Sequence, residues 1–140
     1  MESAERTGSL QVLIVEDDPM IRRAITRALQ GAGHEVVAVE RCGGARGLGR
    51  AFDVAVLDLE LPDGTGVDMA GELLGLGTTE GVVFFSGAAD PSLLVRAAQF
   101  GEVVAKSGDL GTLLQAVTAA PRGASGARRG SQPRPRLARR

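Results

Sequence analysis

Tryptophan and tyrosine are absent from the 140 residues, and phenylalanine occurs only four times. With so little aromatic bulk, the interior has to be filled by Val, Leu, Ile and Ala, which suits closely layered elements. One cysteine, Cys42, excludes an internal disulfide and a cysteine-ligated zinc, and reads as a small apolar group. One histidine, His34, lies in a glycine-bounded turn; with no second His beside it, neither metal ligation nor phosphoryl transfer is expected of it. No apolar run approaches membrane-spanning length, and residues 1–9 have no signal-peptide h-region, so a cytoplasmic protein without a membrane partner is expected. Gly64-Thr65-Gly66 lacks the further glycine of a dinucleotide fingerprint and no P-loop sequence occurs, which argues against nucleotide binding.

Acids are missing altogether from residues 121–140, which hold seven of the 16 Lys and Arg. Residues 1–120 therefore carry nine basic and 17 acidic groups, a balance of −8 that the overall charge of −1 conceals. The basic segment is Arg, Gly, Pro, Ser and Ala with almost no large apolar group, so it cannot bury enough surface to offset the entropy of ordering. The expected organisation is a disordered N-terminus at 1–9, a folded domain at 10–120 and a disordered basic tail at 121–140. Weak electrostatic attraction to nucleic acid or another polyanion is the most the tail is expected to contribute.

Against these absences stand four apolar runs that end in chemically active residues. Residues 10–15 run into Glu16-Asp17-Asp18, 54–57 into Asp58, 82–85 into Ser86, and 103–105 into Lys106. Continuous Val-rich runs bounded by polar residues are the pattern of parallel strands covered on both faces. If the strands are parallel, their carboxyl ends share one edge, where open α/β sheets carry their ligand crevice. Acids gathered there repel one another. Keeping them ionised calls for a hard divalent cation or a nearby ammonium.

Between the runs the pattern becomes helical. Pro19 can open a helix with Asp17 or Asp18 as N-cap, and Ile21, Ala24, Ile25, Ala28 and Leu29 form its apolar stripe, stopped near Gly31 and Gly33. A strand at 35–39 follows. The next helix, 42–50, is expected to be short or mobile, because Gly43, Gly44, Gly47 and Gly49 each cost about 1 kcal/mol relative to Ala. Residues 61–66 have turn chemistry throughout. Helices at 67–76, from Asp90-Pro91 to Phe100, and at 109–119 complete five alternations of strand and helix. Right-handed crossovers then predict a doubly wound α/β sheet of five parallel strands with five helices.

Taken together, the acidic pair Glu16-Asp17 in Val-Leu-Ile-Val-Glu-Asp-Asp-Pro, Asp58 in Val-Ala-Val-Leu-Asp-Leu-Glu-Leu-Pro-Asp-Gly-Thr-Gly, Ser86 in Phe-Phe-Ser-Gly, and Lys106 resemble the receiver domain of two-component response regulators, the CheY-like superfamily. The resemblance covers roughly residues 10–119. It implies a flavodoxin-like strand order 2-1-3-4-5 and a phosphoryl group accepted on Asp58 from a histidine kinase or phosphotransfer protein. It further implies Mg²⁺ held by Asp17, Asp58 and the Glu60 backbone carbonyl, with Glu16 acting through water. Ser86 and Lys106 are implied as phosphoryl contacts. The product is a phosphoprotein rather than an enzyme, with at most self-dephosphorylation, whose rate the family tunes at the positions of Glu60 and Ala88. No effector domain is evident after the fifth helix, so a stand-alone receiver signalling to a downstream protein, as a monomer or weak homodimer, is expected.

Two positions depart from the family pattern. Ser107 stands where a proline with a cis bond usually follows the lysine; a cis bond to a non-proline residue costs about 2.5–4 kcal/mol, so a trans bond and a repositioned or looser Lys106 are expected. Val103 stands where the family has a Tyr or Phe that moves on activation; Phe100 is near it but is expected in the core. Both departures favour a rival reading, a receiver-like interaction module that is never phosphorylated. Another rival is a metal-dependent phosphohydrolase with an aspartyl nucleophile, for which Glu60 would be the second carboxylate.

Overall fold

The computed structural model describes residues 8–87 and 90–128, the last seven of these by backbone alone. The Val-rich runs form strands and the periodic segments form helices: β1 (Gln11–Val15), α1 (Pro19–Gly31), β2 (Glu35–Val39), α2 (Cys42–Arg46), β3 (Phe52–Leu57), β4 (Glu60–Leu61), β5 (Gly64–Thr65), α3 (Gly66–Gly75), β6 (Thr79–Ser86), α4 (Pro91–Ala98), β7 (Glu102–Ala105) and α5 (Leu110–Arg128). Five strands pair in parallel in the order β2-β1-β3-β6-β7, the 2-1-3-4-5 arrangement expected once the hairpin β4-β5 is set aside.

Alternation along each strand divides the interior into two layers. Leu13, Val15, Ala55, Leu57, Val82 and Phe84 face α2, α3 and α4, meeting Cys42, Met69, Leu73 and Ala97. Val12, Ile14, Val54, Val56, Val83 and Phe85 face α1 and α5, meeting Ile25, Leu29, Leu113 and Val117. Each fully buried side chain of this size contributes roughly 1.5–3 kcal/mol, so the aliphatic layers make up for the missing aromatics.

Helix ends follow local chemistry. Asp18, not Asp17, caps α1: its Oδ1 accepts the Met20 and Ile21 N–H groups at 2.9 and 3.2 Å, and Pro19 occupies the first turn. Gly33, with φ of +96°, takes the chain out of α1. Glycines confine α2 to five residues instead of the nine expected. At the other end α5 continues past the predicted stop at 119 to Arg128, with Pro121 inside it. Alanines on both sides sustain the helix, and the proline removes only one of its backbone hydrogen bonds. Of the expected terminal segments, residues 1–7 and 129–140 lie outside the described residues. Phe100 is not in the core: α4 ends before it, and its ring rests over Gly71 while staying 37 % exposed.

At the edge of the sheet where the strands begin, His34 is buried and its Nδ1 accepts the Leu10 N–H at 3.1 Å, which fixes the neutral ring with its proton on Nε2. Burial lowers its pKa from the ordinary 6.5. A folded-state pKa below the unfolded one means that His34 leaves stability intact above about pH 6.5 and subtracts from it as pH falls through the folded value. Urea unfolding at pH 7 and pH 5 is therefore expected to show a larger loss in the wild type than in His34→Asn. Equal losses would contradict this role.

Candidate functional site

Register decides which side chains meet. Val15 lies opposite Leu57 and Leu57 opposite Phe84, so β1 and β3 finish level; β6 and β7 run two residues further and finish level with each other, Ser86 opposite Ala105. The ladder continues one step beyond them. The Glu16 N–H donates to the Val39 carbonyl at 3.0 Å, the Asp58 N–H to the Val15 carbonyl at 3.1 Å, and the Lys106 N–H to the Ser86 carbonyl at 2.8 Å. Residues 48 apart in sequence, Asp58 and Lys106, are thereby held as neighbours.

Glu16, Asp17 and Asp58 each place a carboxylate oxygen within 4.8 Å of the others. Lys106 completes the corner: its Nζ lies 3.2 Å from Asp58 Oδ2 and 3.0 Å from Glu16 Oε1. Burial raises the Glu16 carboxyl above its ordinary pKa, against the lowering effects of the Asp18 amide and the Lys106 ammonium, while the Asp58 charge adds to the rise. Burial alone would lower the Lys106 ammonium; the hydrogen bond and charge of Glu16 and the charge of Asp58 outweigh it and leave Lys106 raised. Glu16 Oε1 is buried against the Lys106 ammonium. Three carboxylates converging on this corner form a donor set of hard oxygens, which fits a small divalent cation such as Mg²⁺.

The flanking loops are pinned from outside the acidic cluster. Arg22, one turn into α1, donates to the carbonyls of Glu16 at 2.9 Å and Asp17 at 3.4 Å. After Asp58 the chain makes the hairpin β4-β5, which turn chemistry alone did not predict, and Thr65 then caps α3 by accepting the Asp68 N–H at 3.1 Å. The Glu60 N–H reaches Asp58 Oδ1 at 3.4 Å and its side chain is exposed. Ser86 is buried at the end of β6, within the same edge. Ala88 lies outside the described residues.

The Lys106–Ser107 bond is trans, as expected, and the lysine reaches both carboxylates. Pairing of β7 with β6 sets its backbone. Val103 packs partly buried against the core layer that contains Phe84. Gly66 has no room for a side chain, because a Cβ there would collide with the Asp58 carbonyl oxygen. Gly66→Ala is therefore expected to lower unfolding free energy by about 1–3 kcal/mol in urea titrations, since the backbone at Asp58 has to move. Unchanged stability would show that the loop yields freely.

Comparison with known proteins agrees with this geometry. The response regulator receiver domain family matches residues 12–118. The transcriptional regulatory protein KdpE of Mycobacterium tuberculosis is 36 % identical over 92 residues, covering 64 % of this chain and 40 % of KdpE, so the chain spans about two fifths of that relative's length. Among solved structures, a CheY-like receiver domain protein from Methanospirillum hungatei JF-1 superposes with a TM-score of 0.73 at 22 % identity, covering 84 % of this chain and 97 % of that one. TrrA of Thermotoga maritima, solved in complex with Mg(2+)-BeF, gives 0.67 at 24 % identity, covering 75 % and 93 %. With its parallel order, its acidic corner and its lysine in register, this chain belongs to the response regulator receiver domain family.

Proposed function

We propose that the domain accepts a phosphoryl group on Asp58 from a phosphohistidine of a histidine kinase or histidine phosphotransfer protein, holds it, and signals by contact with a downstream protein in the cytoplasm. The observation that carries this reading is the reach of Lys106 to both Glu16 and Asp58 at the carboxyl edge of the sheet. Among the described residues no helix is long and apolar enough to cross a membrane.

Asp58 is the nucleophile: one carboxylate oxygen attacks phosphorus in line as the nitrogen–phosphorus bond to the donor imidazole breaks. Lys106, at 3.2 Å from the carboxylate, is placed to pair with a phosphoryl oxygen once the group arrives, and Ser86 to donate its hydroxyl to another. Asp17, Asp58 and the Glu60 carbonyl would hold Mg²⁺, with Glu16 acting through water. When bound, the ion supplies countercharge for the phosphoryl oxygens. The Mg(2+)-BeF complex of TrrA supports the same cation here. Among the described residues gathered at this edge none is a base strong enough for rapid hydrolysis, so Asp58 stores the group and does not turn it over.

The rival reading as a silent module rests on Ser107 and Val103, whereas the contacts of Lys106 with Glu16 and Asp58 support phosphoacceptance. Intact-mass spectrometry after incubation with a small phosphodonor and Mg²⁺ is expected to show the increment of one phosphoryl group on the wild type and none on Asp58→Asn. Absence of the adduct from both would refute phosphoacceptance, and continuous release of inorganic phosphate would indicate the hydrolase. Saturating Mg²⁺ should also raise the melting temperature of the wild type, since at 100 times Kd a ligand of the native state contributes about 2.7 kcal/mol.

A further inference from the structure

Helix α2 is poorly equipped to stand alone. It has five residues, Cys42-Gly43-Gly44-Ala45-Arg46, and Arg41 at its N-cap position provides no side-chain hydrogen bond. Two glycines in so short a helix disfavour it further. The missing cap comes from another part of the chain: Asp63, in the turn of the hairpin after Asp58, accepts the Cys42 N–H on Oδ1 at 2.8 Å and the Gly43 N–H on Oδ2 at 3.0 Å. These bonds, that from Gly43 foremost, hold the Asp63 carboxyl below its ordinary pKa. The hairpin sits directly on α2, for a Cβ on Gly64 would come within 3.3 Å of Cys42 Sγ.

The far end of α2 is fastened to the same stretch of chain. Arg46 forks onto Glu72 of α3 with contacts of 2.8 and 3.0 Å, and α3 begins at Gly66, packed against the Asp58 carbonyl. The stretch from Asp58 to Glu72 therefore holds α2 at two points, through Asp63 and through Glu72. We propose that Asp63 is a positioning residue that joins α2 to the phosphoacceptor loop, so that the loop keeps its receptive shape through α2 and occupancy at Asp58 is felt at Cys42 and Gly43. This rests on the reading of Asp58 given above. Both carboxylate oxygens are used, which explains the residue type: an amide offers a single acceptor and would keep one bond of the two.

The test compares the wild type with Asp63→Ala, Asp63→Asn and Arg46→Gln, the last loosening the other end of α2 without touching the loop. Amide resonances of Cys42 and Gly43 are followed in the metal-free proteins and through titration with Mg²⁺. Melting temperature and the initial rate of phosphorylation by a small phosphodonor at saturating Mg²⁺ are measured alongside. Both resonances are expected to shift on Mg²⁺ binding to the wild type. Asp63→Ala is expected to lose roughly tenfold in Mg²⁺ affinity, the size of effect typical of residues supporting a metal's ligands, and to phosphorylate several-fold more slowly. Asp63→Asn should fall between, while Arg46→Gln stays within about twofold of the wild type, as an exposed ion pair predicts. The proposal is overturned if Asp63→Ala matches the wild type in affinity and rate, if the two resonances ignore Mg²⁺ saturation, or if Arg46→Gln loses as much as Asp63→Ala in step with melting temperature. A wild type that takes up neither Mg²⁺ nor a phosphoryl group overturns the reading of Asp58 and this proposal with it. That result is distinct from an active wild type matched by Asp63→Ala.

Discussion

One ammonium shared between two carboxylates governs the active edge of this domain. Glu16 is 2 % exposed, and an ionised side chain buried to that degree is costly unless paired. Lys106 supplies the pairing for Glu16 and at the same time reaches Asp58. A single positive charge cannot balance three carboxylates, so the corner retains a surplus of negative charge in a space where oxygens lie within 4.8 Å of one another. That surplus is the electrostatic condition under which hard cations are favoured. Asp58 meanwhile stays in contact with the ammonium of Lys106.

Such a corner needs a rigid frame, and the parallel sheet provides it by register. Each active residue is the last residue of a strand or one of the first after it, and backbone hydrogen bonds carry the ladder past the formal strand ends at Glu16, Asp58 and Lys106. Two apolar layers on opposite faces hold the strands against slippage, because a shift of one residue would exchange the layers. Glycine supplies tolerance where backbones approach closely. At Gly66 a helix begins against the Asp58 carbonyl, and at Gly101 a side chain would strike the Val82 carbonyl oxygen.

The parallel sheet and the acidic corner are legible in the sequence because each depends on a local pattern, a Val-rich run, a polar stop or a helical stripe, whereas the strand order follows only from the family resemblance. Glu16, Asp17, Asp58, Ser86 and Lys106 announce themselves by ending such runs. Asp63 and Arg22 do not, since their partners are backbone groups and no residue type advertises a carbonyl or an amide. Asp63 reads only as turn chemistry, and its two bonds span some 20 residues of chain. The acceptance of the Leu10 amide by His34 follows only once β1 and β2 are known to be neighbours. Phe100 falls outside the core because α4 stops before it, a boundary that the stripe Leu93, Leu94, Ala97 does not encode.

The serine after Lys106 separates what the lysine needs from what its usual neighbour provides. Strand pairing of Ala105 with Ser86, extended by the Lys106 N–H to the Ser86 carbonyl, aims the side chain at Asp58 whatever bond follows. The departure at Ser107 therefore bears on the loop beyond the lysine. Val103 is a different matter, because it leaves only a small apolar side chain packed in place on β7. The loop after Asp58, for its part, is tied directly to neighbouring helices. Among the described residues, α2 and α3 are the elements so tied, through Asp63, Thr65 and Gly66.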